Sequence, residues 1–213
     1  MNDFIGITEL LTEINSVLNH RVSVYAIGGT ALLYRGLKSS TKDIDIIVGT
    51  RREYNELVMI LRQIGFIPRI PDKYYSNMNL SQILVRDDYR IDLFEKSVCS
   101  KFMLSESMIA RSDRIFGMDK LSFSLCSNED VFMFKTMTDR EGDLDDCMTI
   151  AYSSIDWSII MDEIVNQIRI SGNDIWITWI GERLDILVDR GIVIPIMSRI
   201  NGLRRKYYHG TKA

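Results

Sequence analysis

The sequence predicts an α+β fold: a β-sheet with flanking helices over residues 1–153, and a smaller helical region over residues 154–213. Two observations predict it. Short runs rich in β-branched and aromatic residues alternate with stretches of helical periodicity through the first two thirds of the chain. These runs are Ser23 to Ile27, Asp43 to Val48, Ser81 to Val85, Tyr89 to Phe94 and Lys120 to Cys126. From about Ile155 onward only helical spacing continues, over Trp157 to Ile168, Ile175 to Val188 and Pro195 to Tyr208.

The first element is a helix, because Ile7, Leu10, Leu11, Ile14, Val17 and Leu18 recur on one face; it ends near Asn19 and His20. The strand Ser23 to Ile27 then breaks at Gly28-Gly29 and opens into the helix-forming Thr30 to Arg35. Such a turn can cradle a phosphate, since glycine lets a ligand approach the backbone and the free amides of a helix start face an anion. The segment Arg35 to Lys42 is basic and turn-rich, and is either a solvated loop or a source of cations, Lys38 and Lys42, for a triphosphate. In the strand that follows, side chains alternate, so Asp43 and Asp45 share one face while Ile44, Ile46 and Val48 fill the other. Two carboxylates held together in an apolar strand repel each other unless a cation neutralises them. Thr50 with Glu53 forms a capping box for a helix running to about Gln63 and stopped by Gly65, with Tyr54, Leu57, Leu61 and Ile64 on the stripe facing the sheet.

Residues 66–80 read as a strand end and a loop, in which Pro68, Pro71 and the pair Tyr74-Tyr75 either close over the core or stack a base. The runs on either side of Arg86-Asp87-Asp88 read as a hairpin, with Asp92 between Ile91 and Leu93 in its second strand. If that strand pairs with the Asp43 strand, Asp92 stands within about 5 Å of one of the two acids, Cβ to Cβ. Three acids would then suffice to hold magnesium. Leu104 to Ile115 reads as a helix and Lys120 to Cys126 as a strand. Ser127 caps the next helix, with Asp130 three residues on, and Val131 to Phe134 make that helix apolar around much of its circumference. Lys135 follows, an ammonium that either snorkels to water or meets an anion. Asp139, Glu141, Asp143, Asp145 and Asp146 form an acidic run that, taken alone, reads as a solvated face. In the C-terminal region Asp156 caps the first helix, Asn173 or Asp174 the second, and Pro195 suits the first turn of the third. Trp157, Trp176 and Trp179 there pack against the domain of residues 1–153 rather than bind, and Arg204 to His209 combines charge with aromatic rings, either as an acceptor-binding patch or as a frayed terminus.

Gly28-Gly29-Thr30, then Asp43-Ile44-Asp45, then Ile91-Asp92-Leu93 resemble in order and spacing the nucleotidyltransferase superfamily whose best-known member is DNA polymerase beta. Gly28-Gly29-Thr30-Ala31-Leu32, Arg35-Gly36 and Ser40 to Asp45 look like the small prokaryotic branch that includes abortive-infection toxins. Ser127 to Asp130, Lys135, Arg140, Asp143 and Asp146 look like its downstream helical motif, so the resemblance covers roughly residues 20–152. The resemblance implies a mixed β-sheet with flanking helices and Mg²⁺-dependent transfer of a nucleoside monophosphate from an NTP such as ATP, with release of pyrophosphate. The acceptor would be a hydroxyl on an RNA 3′ end, a protein or a small molecule. Asp43, Asp45 and Asp92 would be the catalytic and metal-binding acids, holding two Mg²⁺ ions; Gly28, Gly29, Thr30, Lys38, Lys42, Lys135, Arg140 and Asp143 would bind nucleotide. A toxin-like chain would also have a neutralising partner protein. Two other readings stand beside this one: a catalytically silent nucleotide-binding or regulatory domain, and a nucleic-acid-binding module working through the C-terminal helices.

Composition fits an enzyme of the cytoplasm. With 46% hydrophobic and 26% charged residues among 213, the chain can bury a core, and a net charge of −3 argues against coating nucleic acid over a broad face. The start Met1-Asn2-Asp3 lacks the pattern of a signal peptide, and no apolar run is long enough for a membrane span. Cys99, Cys126 and Cys147 have no pairing pattern and read as free thiols of a reducing compartment. Neither His20 nor His209 is assigned a catalytic role.

Overall fold

The computed structural model describes residues 4–70, 82–99, 102–172 and 174–210. In chain order the elements begin with α1 (Phe4–Val17), β1 (Val22–Ala26), α2 (Gly28–Tyr34), β2 (Ile44–Val48), α3 (Arg51–Gln63), β3 (Ile67–Arg69), β4 (Gln82–Arg86) and β5 (Tyr89–Glu95). They continue with β6 (Ser97–Val98), β7 (Phe102–Met103), α4 (Glu106–Ala110), β8 (Asp113–Gly117), β9 (Leu121–Leu125), α5 (Asn128–Thr136), α6 (Glu141–Tyr152), α7 (Trp157–Ser171), α8 (Trp176–Asp189) and α9 (Met197–Gly210). The chain divides into two units, residues 1–100 with 104–127, and residues 101–103 with 128–213. The boundary expected after residue 153 falls inside the second of them.

The first unit is built on a seven-stranded sheet in the order β3-β4-β5-β2-β1-β9-β8. The sheet is mixed, as expected: β1 runs parallel to β9 and β2 parallel to β5, whereas β1 and β2 are antiparallel. One core joins α1 and α3 to the sheet, with Ile7, Leu10, Leu11 and Ile14 of α1 and Leu57, Ile60 and Leu61 of α3 against Val24, Ile46, Ile91 and Phe123. Helix α3 starts as its sequence dictates: the Thr50 hydroxyl accepts from the Glu53 amide at 3.2 Å and donates to the Glu53 carboxylate at 2.8 Å. The other oxygen of Glu53 accepts the Ser23 amide at 3.0 Å, tying the helix start to the edge of β1. The β4–β5 hairpin turns through Asp87 and Asp88, with Arg86 opposite Tyr89. Arg86 also forms a forked pair with Glu13 at 2.8 and 2.7 Å, clamping α1 to the hairpin.

Two local expectations are corrected. Leu104 to Ile115 is not one helix, because α4 ends at Ala110 and Asp113–Gly117 becomes the edge strand β8, paired antiparallel with β9. The Ser105 hydroxyl caps α4 by accepting the Met108 amide at 3.2 Å, and the ladder with β9 then overrides helical spacing. Asp174 does not cap α8 through its side chain; Ile175 occupies that position. Pro71, Tyr74, Tyr75, Ser81 and Asn173, singled out from the sequence, lie outside the described residues.

The second unit holds β7 and the helices α5 to α9. Helix α5 is buried on all sides, with Val131, Phe132 and Met133 fully inaccessible. The tryptophans pack as expected. Trp157 meets Phe132 edge-on at 5.4 Å, Trp176 meets Phe102 at 5.0 Å, and the Trp179 indole donates to the Thr136 carbonyl at 2.9 Å. Asp156 caps α7 by accepting the Ser158 amide at 2.8 Å, and α7 ends at Gly172. No helix among the described residues is long and apolar enough to cross a membrane.

Candidate active site

Strand β1 delivers the chain to Gly28-Gly29 beside the start of β2, and the packing there leaves no room for side chains. A Cβ on Gly28 would sit 2.4 Å from Asp45 Oδ2, and one on Gly29 would sit 2.5 Å from Thr41 Oγ1. Gly28 also has φ +58°, a left-handed conformation in which a Cβ is strained. The glycines therefore let the backbone close on the acid strand. The Gly29 amide donates to Asp45 Oδ2 at 3.1 Å.

Thr30, expected to bind nucleotide, has its hydroxyl engaged within the fold. Fully buried, its hydroxyl accepts the Asp45 amide at 3.1 Å and donates to the Asp43 carbonyl at 3.4 Å. Thr41 donates to that same carbonyl at 2.9 Å. With its carbonyl taken by two hydroxyls rather than by a strand neighbour, Asp43 lies just before β2 instead of inside it. The two threonines thus fix the backbone of Asp43 and Asp45, and Thr30 supports the acids from behind.

Asp92 lies on β5 directly opposite Asp45 in the parallel register, so the expected pairing of these strands holds. Its side chain is 3% exposed and is gripped by a residue the sequence reading passed over. Arg90 donates from Nε to Asp92 Oδ1 at 2.7 Å and from Nη2 to Oδ2 at 2.9 Å, and its Nε lies 3.3 Å from Asp43 Oδ1. The signal was present: residues two apart on a strand share a face, so Arg90 had to stand beside Asp92. The structure brings together Asp43 and Asp92 through Arg90, and Asp45 with Gly29. Among the described residues no three acidic, histidine or cysteine side chains are disposed to hold a metal ion together.

Lys38 and Lys42 stand in the connection from α2 to β2, Lys38 half-buried and Lys42 exposed next to Asp43. The remaining expected nucleotide contacts lie in the second unit and are bound to one another. Lys135 Nζ donates to Asp143 Oδ1 at 2.7 Å and lies 2.6 Å from Asp146 Oδ2, with all three side chains less than a tenth exposed. Burial alone would push the Lys135 ammonium below its ordinary range, but the two carboxylates hold it above. Burial alone would likewise raise the Asp143 carboxyl, which Lys135, Arg140 and the Thr138 hydroxyl at 2.6 Å hold below 3.8. Arg183 donates to the Arg140 carbonyl at 3.0 Å and fixes the chain entering α6. Of the acidic run, Asp143 and Asp146 are thus core residues, whereas Asp139, Glu141 and Asp145 are exposed.

The glycine pair is thus pressed against the acid strand, and a further acid stands in register on the next parallel strand. Residues 3–175 match the family described as nucleotidyltransferase of unknown function (DUF6036), and the chain belongs to that family. It is accordingly an enzyme of the nucleotidyltransferase class. Among solved structures it is similar to the crystal structure of ANT(2")-Ia in complex with adenylyl-2"-tobramycin, at 12% identity and a TM-score of 0.49, over 76% of this chain and 95% of that one. No curated protein matches the chain.

Proposed function

We propose that the chain transfers a nucleoside monophosphate from an NTP to a hydroxyl acceptor, with Mg²⁺ as the metal and pyrophosphate as the second product. One observation carries this reading: Asp45 and Asp92 stand side by side on parallel strands, in a site whose glycine backbone is built around the Asp45 carboxylate. The donor set suits a hard divalent cation, since it offers only carboxylate oxygens, and the three acids outnumber the one guanidinium that Asp43 and Asp92 share. Bound at Asp43, Asp45 and Asp92, the metal would supply charge neutralisation at the triphosphate and lower the pKa of the acceptor hydroxyl.

The chain's own part is positioning. Thr30 and Thr41 hold the backbone of the acids, so that the carboxylates need not reorganise as charge develops. Gly28 and Gly29 let the triphosphate approach the backbone, and Lys38 and Lys42, on the connection leading into β2, supply positive charge for it. Phosphoryl transfer of this kind needs no covalent nucleophile. Lys135, Arg140 and Asp143 support the reading through the family motif they match rather than through an open site, since each is engaged with a neighbour.

The test is incubation with each α-labelled NTP, Mg²⁺ and, separately, cellular RNA, cellular protein and a panel of aminoglycosides. Label transferred by the wild type and lost in folded Asp45→Asn is the expected result, and the fraction that carries label names the acceptor class. Full transfer by folded Asp45→Asn would overturn this mechanism.

A further inference from the structure

No expected function uses Arg90, yet it occupies both oxygens of the most buried acid of the site. We propose that Arg90 is a displaceable counter-cation: it competes with the divalent metal for Asp92, so the metal binds tightly only when a nucleotide triphosphate arrives with it. This proposal rests on the nucleotidyltransferase reading given above.

Three observations carry it. The Asp92 side chain is 3% exposed, and a carboxylate so buried is costly to leave without a positive partner. Arg90 is that partner, in a forked pair at 2.7 and 2.9 Å that takes both oxygens of Asp92. Finally, Arg90 is itself 20% exposed and lies 3.3 Å from Asp43, so its head group stands between the two acids and has a way out toward solvent. A guanidinium and a metal ion of like sign cannot share these oxygens at contact distance without strong repulsion. A guanidinium released from Asp92 pairs well with another planar or tetrahedral anion, and the triphosphate brought with the metal supplies one. Metal and nucleotide binding are thereby coupled, each raising the affinity for the other.

The experiment uses the full chain with Mn²⁺, read by electron paramagnetic resonance, in the absence and presence of a non-hydrolysable NTP analogue. For the wild type, Mn²⁺ binding is expected to be weak alone and to tighten with the analogue. In Arg90→Gln, Mn²⁺ alone binds about tenfold tighter or more than to the wild type, because the like charge beside the site is gone. The gain from adding the analogue shrinks accordingly, and Mn²⁺ raises the melting temperature of this variant more than that of the wild type. Arg90→Lys keeps the charge without the fork and guards against a misfolded glutamine variant; it is expected to fall between the two. If folded Arg90→Gln or Arg90→Lys binds Mn²⁺ no tighter than the wild type, Arg90 is a fixed structural pair and the proposal is overturned. If the wild type and both variants bind no Mn²⁺ even with the analogue, the metal-dependent nucleotidyltransferase reading fails, and the competition fails with it.

Discussion

Replacing Gly28 by alanine tests whether the glycine turn exists to seat Asp45. The added Cβ meets Asp45 Oδ2 at 2.4 Å and its Cγ at 2.8 Å, an ångström short of the 3.4 Å at which ordinary contact begins. Either the carboxylate swings away, losing the 3.1 Å bond from the Gly29 amide, or the turn retreats from β2. The backbone adds its own penalty, since an L-residue in the left-handed region costs roughly 1–2 kcal/mol. Gly36→Ala separates the two effects, because Gly36 has φ +70° but nothing within 4 Å of its added Cβ. Both variants are therefore expected to lose about 1–2 kcal/mol in denaturant unfolding, the Gly28 variant somewhat more. Only Gly28→Ala should lose activity, by about a hundredfold in kcat, which is the scale of a one-ångström misplacement of a catalytic group. Pyrophosphate release measured on both proteins under saturating Mg²⁺ and NTP decides the matter. If Gly28→Ala turns over within about threefold of Gly36→Ala, well short of the hundredfold a misplaced group costs, the close approach of Gly28 to Asp45 has no part in catalysis.

Thr30→Val keeps the shape of the side chain but removes the acceptor for the Asp45 amide, so a loss of about 1–3 kcal/mol is expected in urea unfolding together with reduced transfer; Thr30→Ser should restore both. Lys135→Met leaves Asp143 and Asp146 buried without their cation and is expected to cost about 3–5 kcal/mol, much of it regained when both acids are also made asparagine. The same network sets two pH limits. Asp143, held below 3.8, contributes stability that is complete above that value and lost as pH falls through the depressed folded pKa. Lys135, held above 10.5, contributes stability that is complete below that value and lost as pH rises through the raised folded pKa. Thermal melts across pH should therefore fall off at both ends in the wild type, and the fall tied to this network should vanish in the triple variant.

How legible each part was depended on whether its cause was local. Helix α3 was readable from Thr50, Glu53 and Gly65 because a capping box and a glycine stop act within a few residues. Strand β9 and the α1 face were readable because burial imposes its period on the sequence. Strand β8 was not, since its first three residues are exposed and its conformation comes from pairing with β9, which no window of the sequence contains. Asp43 was placed inside the strand because the alternation of Asp43 and Asp45 is local, whereas the hydroxyl of Thr30 that helps hold it outside comes from another element. Arg90 could have been found from its spacing to Asp92 alone. So could the shared face of Asp143 and Asp146, three apart on a helix, which points both at one cation.

The chain contains two clusters of carboxylates around a basic side chain, and their charge balance separates a candidate reaction site from a structural one. In the second unit Lys135 sits on Asp143 and Asp146, with all three side chains less than a tenth exposed, and Arg140 Nε lies 3.6 Å from Asp143 Oδ2; two cations thus meet two carboxylates, and the cluster rigidifies the packing of α5 on α6. In the first unit Arg90 faces Asp43 and Asp92, with Asp45 in register beside them, and both Arg90 and Asp43 keep about a fifth of their surface in contact with solvent. There three carboxylates outnumber the guanidinium that two of them share, and the site keeps an opening to solvent. Such an excess is unfavourable for a protein that only needs to fold, and Asp43→Asn or Asp45→Asn should accordingly leave stability unchanged or raised while removing transfer. A matched loss of stability and activity in both variants would mean that these acids hold the sheet together rather than serve a reaction.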